Sequence, residues 1–128
     1  MFKKICIIGC GLIGSSLARA IKKNNLAEKI VSSNRSDAVN KKVIELKIVD
    51  DSSSDTKKMA DGSDLVVIAT PLSSYEDVIS KIKNSLKDGV ILTDVGSVKE
   101  NIINLIEKNI PESISWIASH PIAGTEES

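Results

Sequence analysis

The sequence predicts an α/β fold, a doubly wound parallel sheet of about six strands with helices on both faces. Three observations carry this expectation. Short, continuously apolar runs recur along the chain, as in strands buried on both sides. Segments of helical period alternate with them, the order that builds β–α–β units. The first run also leads directly into the glycine spacing G-x-G-x-x-G at "GCGLIG", which turns a strand into a helix in dinucleotide-binding units.

In chain order, "KICIIG" (4–9) is a short apolar strand ended by glycine. "LIGSSLARAIKKNN" (12–25) places Leu12, Ile13, Leu17 and Ile21 at helical spacing and ends polar. "KIVSSN" (29–34) is a second strand, and "SDAVNKKVIEL" (36–46) is a helix with Ser36 as N-cap. "KIVD" (47–50) is predicted as a short third strand, and "DDSSSD" (50–55) as a surface loop. "DLVVIAT" (64–70) is the most strand-like run, ended by Pro71. "SYEDVISKIKNSL" (74–86) carries Tyr75, Val78, Ile79, Ile82 and Leu86 on one helical face. "GVILTD" (89–94) is a buried strand, "VKENIINLIEKN" (98–109) a helix and "SISWIAS" (113–119) a final strand.

Composition narrows the function. The 128 residues fit one domain. Lys plus Arg and Asp plus Glu both number 17, a balance that argues against a nucleic-acid or anionic-membrane partner. The single Phe, Tyr and Trp exclude an aromatic stacking platform. No apolar run approaches the roughly 20 residues that span a bilayer, and glycines interrupt the N-terminal run, so a cytoplasmic protein is expected. Cys6 and Cys10 lack partners for a zinc site; no metal is expected, and both thiols read as structural.

Ligands of such sheets bind at the carboxyl ends of the strands, so the residues just after each strand matter most. After the first, Gly9 allows the tight turn, Gly11 admits a pyrophosphate close to the backbone and Gly14 lets helix pack on strand. The N–H groups of the helix start, at Leu12 and Ile13, face the phosphates. After the second strand, an NAD site places a carboxylate about 20 residues beyond the glycines, on the ribose hydroxyls. The residue there is the neutral Asn34, followed by Arg35 and Ser36. A guanidinium and a hydroxyl suit a 2′-phosphate, which favours NADP, with NAD as the alternative if Asp37 reaches the ribose. Ala69, Thr70 and Pro71 form a wall beside the cofactor, or merely end the fourth strand. Asp94, Val95 and Gly96 follow the fifth on the same rim, where Ser97 can cap a helix or face the ligand. After the last strand stands His120, the one histidine of the chain, a side chain suited to proton exchange near neutral pH.

Together "GCGLIGSSLARAIK", "DLVVIATPL", "LTDVGSVK" and "SHPIAGTEES", in this order and spacing, resemble the nucleotide-binding domain of the prephenate and arogenate dehydrogenases of tyrosine biosynthesis. The resemblance covers essentially the whole chain, and its last two motifs are the specific ones. It implies a Rossmann domain over residues 1–128 that binds NAD(P). It implies oxidative decarboxylation of prephenate or arogenate to 4-hydroxyphenylpyruvate or tyrosine. His120 then matches the residue that draws the proton from the C4 hydroxyl as hydride leaves. Ser97 matches the serine that orients it, and Thr125 and Glu126 match substrate-pocket residues. The family's helical dimerisation domain, and with it a complete active site and a homodimer, is expected outside this chain. Two other readings stand beside it: a nucleotide-binding sensor module without catalysis, which needs no histidine, and another Rossmann dehydrogenase, which leaves "SHPIAGTEES" unexplained.

Overall fold

Among the described residues, six parallel strands lie in the order β3-β2-β1-β4-β5-β6, five of them from the expected apolar runs. The structure, a computed structural model, describes residues 2–94 and 115–118, with backbone alone for Ile13, Leu72 and 115–118. The strands are β1 (Phe2–Ile8), β2 (Ala27–Ser33), β3 (Asp51–Ser53), β4 (Leu65–Ile68), β5 (Ile91–Asp94) and β6 (Ser115–Ala118). Helices α1 (Leu12–Lys23), α2 (Asp37–Glu45), α3 (Thr56–Ala60) and α4 (Tyr75–Ile82) connect them. The expected helix over 98–109 lies outside the described residues. No helix among the described residues is long and apolar enough to cross a membrane.

Side-chain alternation along the strands divides the core in two. Cys6 and Ile8 of β1, with Val66 and Ile68 of β4, face Met59 of α3 and Tyr75, Val78, Ile79 and Ile82 of α4. Ile5, Ile7 and Val67 face the other way, onto Ala18 and Ile21 of α1 and Val43 of α2. Strands buried on both faces need apolar residues at every position, which is why their sequence shows no alternation. Asp64 fastens the starts of the two central strands, β1 and β4. Its carboxylate accepts from the Lys3 and Lys4 N–H groups at 2.6 and 3.2 Å and pairs with the Lys87 ammonium. These donors hold its carboxyl down at about 2, the Lys87 hydrogen bond contributing most.

Four expectations need correction. The third strand is Asp51–Ser53, not 47–50. Ile48 and Val49 are apolar because they plug the junction between α2 and the sheet, after a turn in which Lys47 has φ 59°. Pairing with β2 starts only at Asp51 opposite Val31, beside Asp50, which exchanges hydrogen bonds with Ile30. "DDSSSD" is accordingly not a surface loop: it supplies β3, and Asp55 caps α3 through Lys58 N–H at 3.1 Å. Leu12 is 87% exposed, so it does not join Leu17, Ala18 and Ile21 on the inward face of α1. Helix α4 stops at Ile82, and Leu86 reaches the core from the turn beyond it.

Candidate functional site

Strand register builds the site. Ser53, Ser33, Ile8, Ile68, Asp94 and Ala118 are successive partners across the sheet, a single row at the carboxyl ends of all six strands. The order in which successive strands are added reverses between β1 and β4, the topological switch point where such sheets bind ligands. Gly9 and Ala69 follow directly: Gly9 N–H donates to Ser33 O and Ala69 N–H to Ile8 O, both at 2.8 Å.

The three glycines have three different reasons. Gly9 has φ +94°, and a Cβ there would lie 2.8 Å from Thr70 Cγ2. A Cβ on Gly14 would overlap the Gly9 carbonyl oxygen, so this glycine lets α1 close onto the loop. A Cβ on Gly11 would meet nothing within 4 Å; it would project into the open space above the loop. Gly11 is the N-cap of α1 and offers no side-chain cap, and the first turn holds no acidic residue. The N–H groups of Leu12, Ile13 and Gly14 thus have no intrahelical acceptor. By contrast, Ser36 caps α2 through Val39 N–H at 3.3 Å.

Behind the loop lies a polar network on β2, α2 and β3. Asn34 Oδ1 accepts from Cys10 N–H at 2.5 Å, and Asn34 Nδ2 donates to Asn40 Oδ1 at 2.9 Å. Asn40 Nδ2 returns to Asn34 O at 3.0 Å. Ser52 Oγ donates to Asn40 Oδ1 and meets Ser32 Oγ, both at 2.6 Å. Asn40, Ser32 and Ser52 are buried. Asn34 is therefore turned inward, as a brace for the glycine loop.

In front of the network is a cleft of about 230 Å³. Ile8, Gly9 and Thr70–Pro71 form its base. Ser33, Asn34, Arg35, Ser54 and Thr56 form one wall, and Ser74, Asp77, Val78 and Lys81 the other. Thr70 Oγ1 is shut off from solvent without a hydrogen-bond partner. Ser33 Oγ and Thr56 Oγ1 share a hydrogen bond of 2.9 Å. Open space over Gly11, an uncapped helix start and an orphaned hydroxyl all fit a dinucleotide lying across the switch point. Cys6 and Cys10 are buried free thiols. Burial raises both, Cys6 to about 12.

The structure thus brings Gly9, Asn34, Arg35, Thr70 and Pro71 to one cleft, with Gly11 at its loop. Ser36 faces its own helix, and buried Asp94 ends β5 in the strand-end row. Val95, Gly96, Ser97, His120, Thr125 and Glu126 lie outside the described residues. Sequence reading missed Ser33, Thr56, Asp77 and Lys81. Asp77 and Lys81 are four apart on the polar face of the helix that follows β4, a spacing that by itself reads as solvated surface.

Comparison with known proteins agrees with this geometry. The family model described as prephenate dehydrogenase, nucleotide-binding domain, matches residues 17–128. The chain is 36% identical over 128 residues to a prephenate dehydrogenase of Lactococcus lactis, covering 98% of this chain and 36% of that protein. It is 36% identical over 126 residues to a cyclohexadienyl dehydrogenase of Zymomonas mobilis, covering 98% of this chain and 43% of that one. It shares its fold, at TM-score 0.85 and 24% identity, with a prephenate dehydrogenase from A. aeolicus crystallised with hydroxyphenyl propionate and NAD+, over 99% of this chain and 44% of that one. The chain thus spans less than half the length of each of these relatives, and within that span its strand-end cleft, glycine loop and family match agree: it belongs to the prephenate dehydrogenase family, through the nucleotide-binding domain.

Proposed function

We propose that this chain is the cofactor-binding part of an NAD(P)-dependent dehydrogenase that oxidatively decarboxylates prephenate or arogenate, giving 4-hydroxyphenylpyruvate or tyrosine. The observation that carries the reading is the row of strand ends with the uncapped start of α1 at its switch point. With strands about 4.8 Å apart, the row runs about 10 Å from β1 to β3 and about 14 Å from β1 to β6. That suits a dinucleotide whose adenosine lies towards β2 and whose nicotinamide lies towards β5. His120 follows Ala118, the end of β6, by two residues.

The bound cofactor would supply a hydride acceptor. The chain's own residues do the rest on this reading. The α1 N–H groups hold the pyrophosphate, and the Thr70 hydroxyl gains its missing partner. His120 draws the proton from the substrate's C4 hydroxyl, with Ser97 orienting both. Such acid–base help is typically worth about 10²- to 10⁴-fold in rate. Thr125 and Glu126 belong to the substrate pocket, completed by a helical, dimer-forming domain of the longer protein.

NADP is favoured over NAD. No carboxylate stands at the end of β2, and Asn34 is already committed to Cys10 and Asn40. Arg35 lines the cleft, and the Ser36 oxygen that accepts from Val39 keeps its O–H to donate. Asp37 opens α2 and is not among the residues of the cleft wall. Calorimetric titration with NADP+ and NAD+ at fixed salt tests this. Tighter NADP+ binding that Arg35→Ala erases supports the reading, and tighter NAD+ binding overturns the preference. In the full-length enzyme, His120→Ala should leave cofactor affinity intact and abolish turnover of prephenate; turnover that survives the change removes His120 from the reaction.

A further inference from the structure

Asp77, in the first turn of α4, holds two cations on one oxygen. Arg35 Nη2 lies 3.8 Å from Asp77 Oδ2, and Lys81 Nζ lies 3.1 Å from the same atom. Arg35 comes from the loop after β2 and Lys81 from the next turn of α4, so the cluster bridges the two walls of the cleft. All three side chains are about half exposed or more. Exposed pairs of this kind are weak and easily exchanged. Two cations against one carboxylate also leave a net positive charge at the cleft mouth. A phosphate offers three acceptor oxygens and nearly two charges, and so competes well with a single carboxylate oxygen for a guanidinium and an ammonium.

We propose that Lys81 is the second cation of a ribose 2′-phosphate subsite, acting with Arg35, and that Asp77 is the resident counter-ion the phosphate displaces. The proposal rests on the NADP reading above and adds a residue from the opposite wall. It makes cofactor choice a contest between two anions for one pair of cations. Asp77 sets the threshold: it keeps Arg35 and Lys81 at the cleft and lowers the gain from binding a phosphate there.

The test uses 2′,5′-ADP and 5′-AMP as probes, titrated into the full chain at low and moderate salt. Lys81→Met should weaken 2′,5′-ADP by about tenfold and leave 5′-AMP unchanged, as for loss of one charge-assisted contact. Asp77→Asn should tighten 2′,5′-ADP by about threefold, the size of a lost exposed ion pair. Both effects should shrink as salt rises. If wild type prefers 2′,5′-ADP, and Arg35→Ala erases this while Lys81→Met does not change it, the Lys81 assignment is overturned and the NADP reading stands. If wild type shows no preference, both fall. Weaker binding of 5′-AMP to Asp77→Asn would make Asp77 a ribose ligand and also overturn the proposal. Unfolding midpoints of the variants, all at exposed positions, should match wild type.

Discussion

Replacing Gly11 with alanine should separate binding from folding. Gly11 has φ −77° and ψ −157°, angles open to any residue, and its added Cβ meets no atom within 4 Å. Two small effects on stability oppose each other. Alanine narrows the unfolded ensemble, worth about 0.4–1 kcal/mol, but is a poorer N-cap than glycine by a comparable amount. Stability should stay within about 0.5 kcal/mol of wild type, as for surface substitutions that touch nothing. Binding should not stay the same. The methyl group fills the space over the loop and pushes a phosphate away from the α1 N–H groups. Losing one hydrogen bond to a charged group costs about 1.5–3 kcal/mol, or roughly 10- to 100-fold in NADP+ affinity. The neighbouring glycines behave differently. Gly14→Ala drives a methyl into the Gly9 carbonyl, an overpacking of about 1–3 kcal/mol in stability. Urea unfolding and calorimetric titration of the two variants make the comparison. A Gly11→Ala protein that binds NADP+ as wild type does would show that the phosphates do not approach at Gly11, and the glycine-loop argument would fail.

Three further outcomes follow from the geometry. Asp64 titrates at about 2 in the folded chain, below its ordinary 3.8, because Lys87 and the Lys3 and Lys4 amides hold the ionised form. The unfolded chain takes up this proton first as pH falls. The contribution is therefore complete above about pH 4 and lost on approach to pH 2. Asp64→Asn should lower stability at neutral pH and flatten that part of the acid limb in urea titrations at stepped pH; an unchanged limb refutes the assignment. Asn34→Asp should not convert the site to NAD. It sets a second acceptor against Asn40 Oδ1, now 2.9 Å from an amide donor, and should cost about 1–3 kcal/mol as an unsatisfied partly buried group. A stable variant with gained NAD+ affinity would contradict this. Burial pushes the Cys6 thiol up to about 12, so it stays protonated and unreactive at pH 8. Alkylation of Cys6 should track global unfolding in denaturant, and rapid native-state labelling would refute its burial.

The strands of the sheet centre were readable in the sequence because double burial leaves continuous apolar runs, 5–8 in β1, all of β4 and 91–92 in β5. The inward face of α4 was readable from its 3.6-residue period. The edge was not. β3 is three residues of Asp and Ser, and its one buried residue, Ser52, is held by hydrogen bonds instead of apolar contact. Ser52 satisfies Asn40 and Ser32, partners that no local pattern reveals. Ile48 and Val49 misled in the opposite sense: buried apolar residues need not lie in a strand, and these two fill a turn. In the site, the glycine motif was readable because spacing alone constrains it. Asn34 stands just past β2, but its inward orientation depends on Asn40, six residues away on a helix. Lys81 and Asp77 were hidden because an i, i+4 ion pair on a helix reads as ordinary solvated surface.

That division between brace and rim carries a consequence for how such a site can change its cofactor. The Asn34–Asn40–Ser52 network spends its donors and acceptors on Cys10 and on itself. It fixes the loop and leaves nothing to read the ribose. On the reading proposed above, discrimination falls to Arg35, Asp77 and Lys81, which are exposed and share no ion pair with the network. Substitutions more than about 7–10 Å apart without shared partners add, whereas those within one hydrogen-bond network do not. Pairing Lys81→Met with a network change such as Asn40→Ala should therefore give additive losses, stability from the second and discrimination from the first. Pairing Arg35→Ala with Lys81→Met should not be additive in 2′,5′-ADP affinity, because both cations share one anion. A double-mutant cycle that couples Lys81 to Asn40 by more than about 0.5 kcal/mol would mean the brace itself shifts with the rim, and cofactor choice would then be a property of the loop.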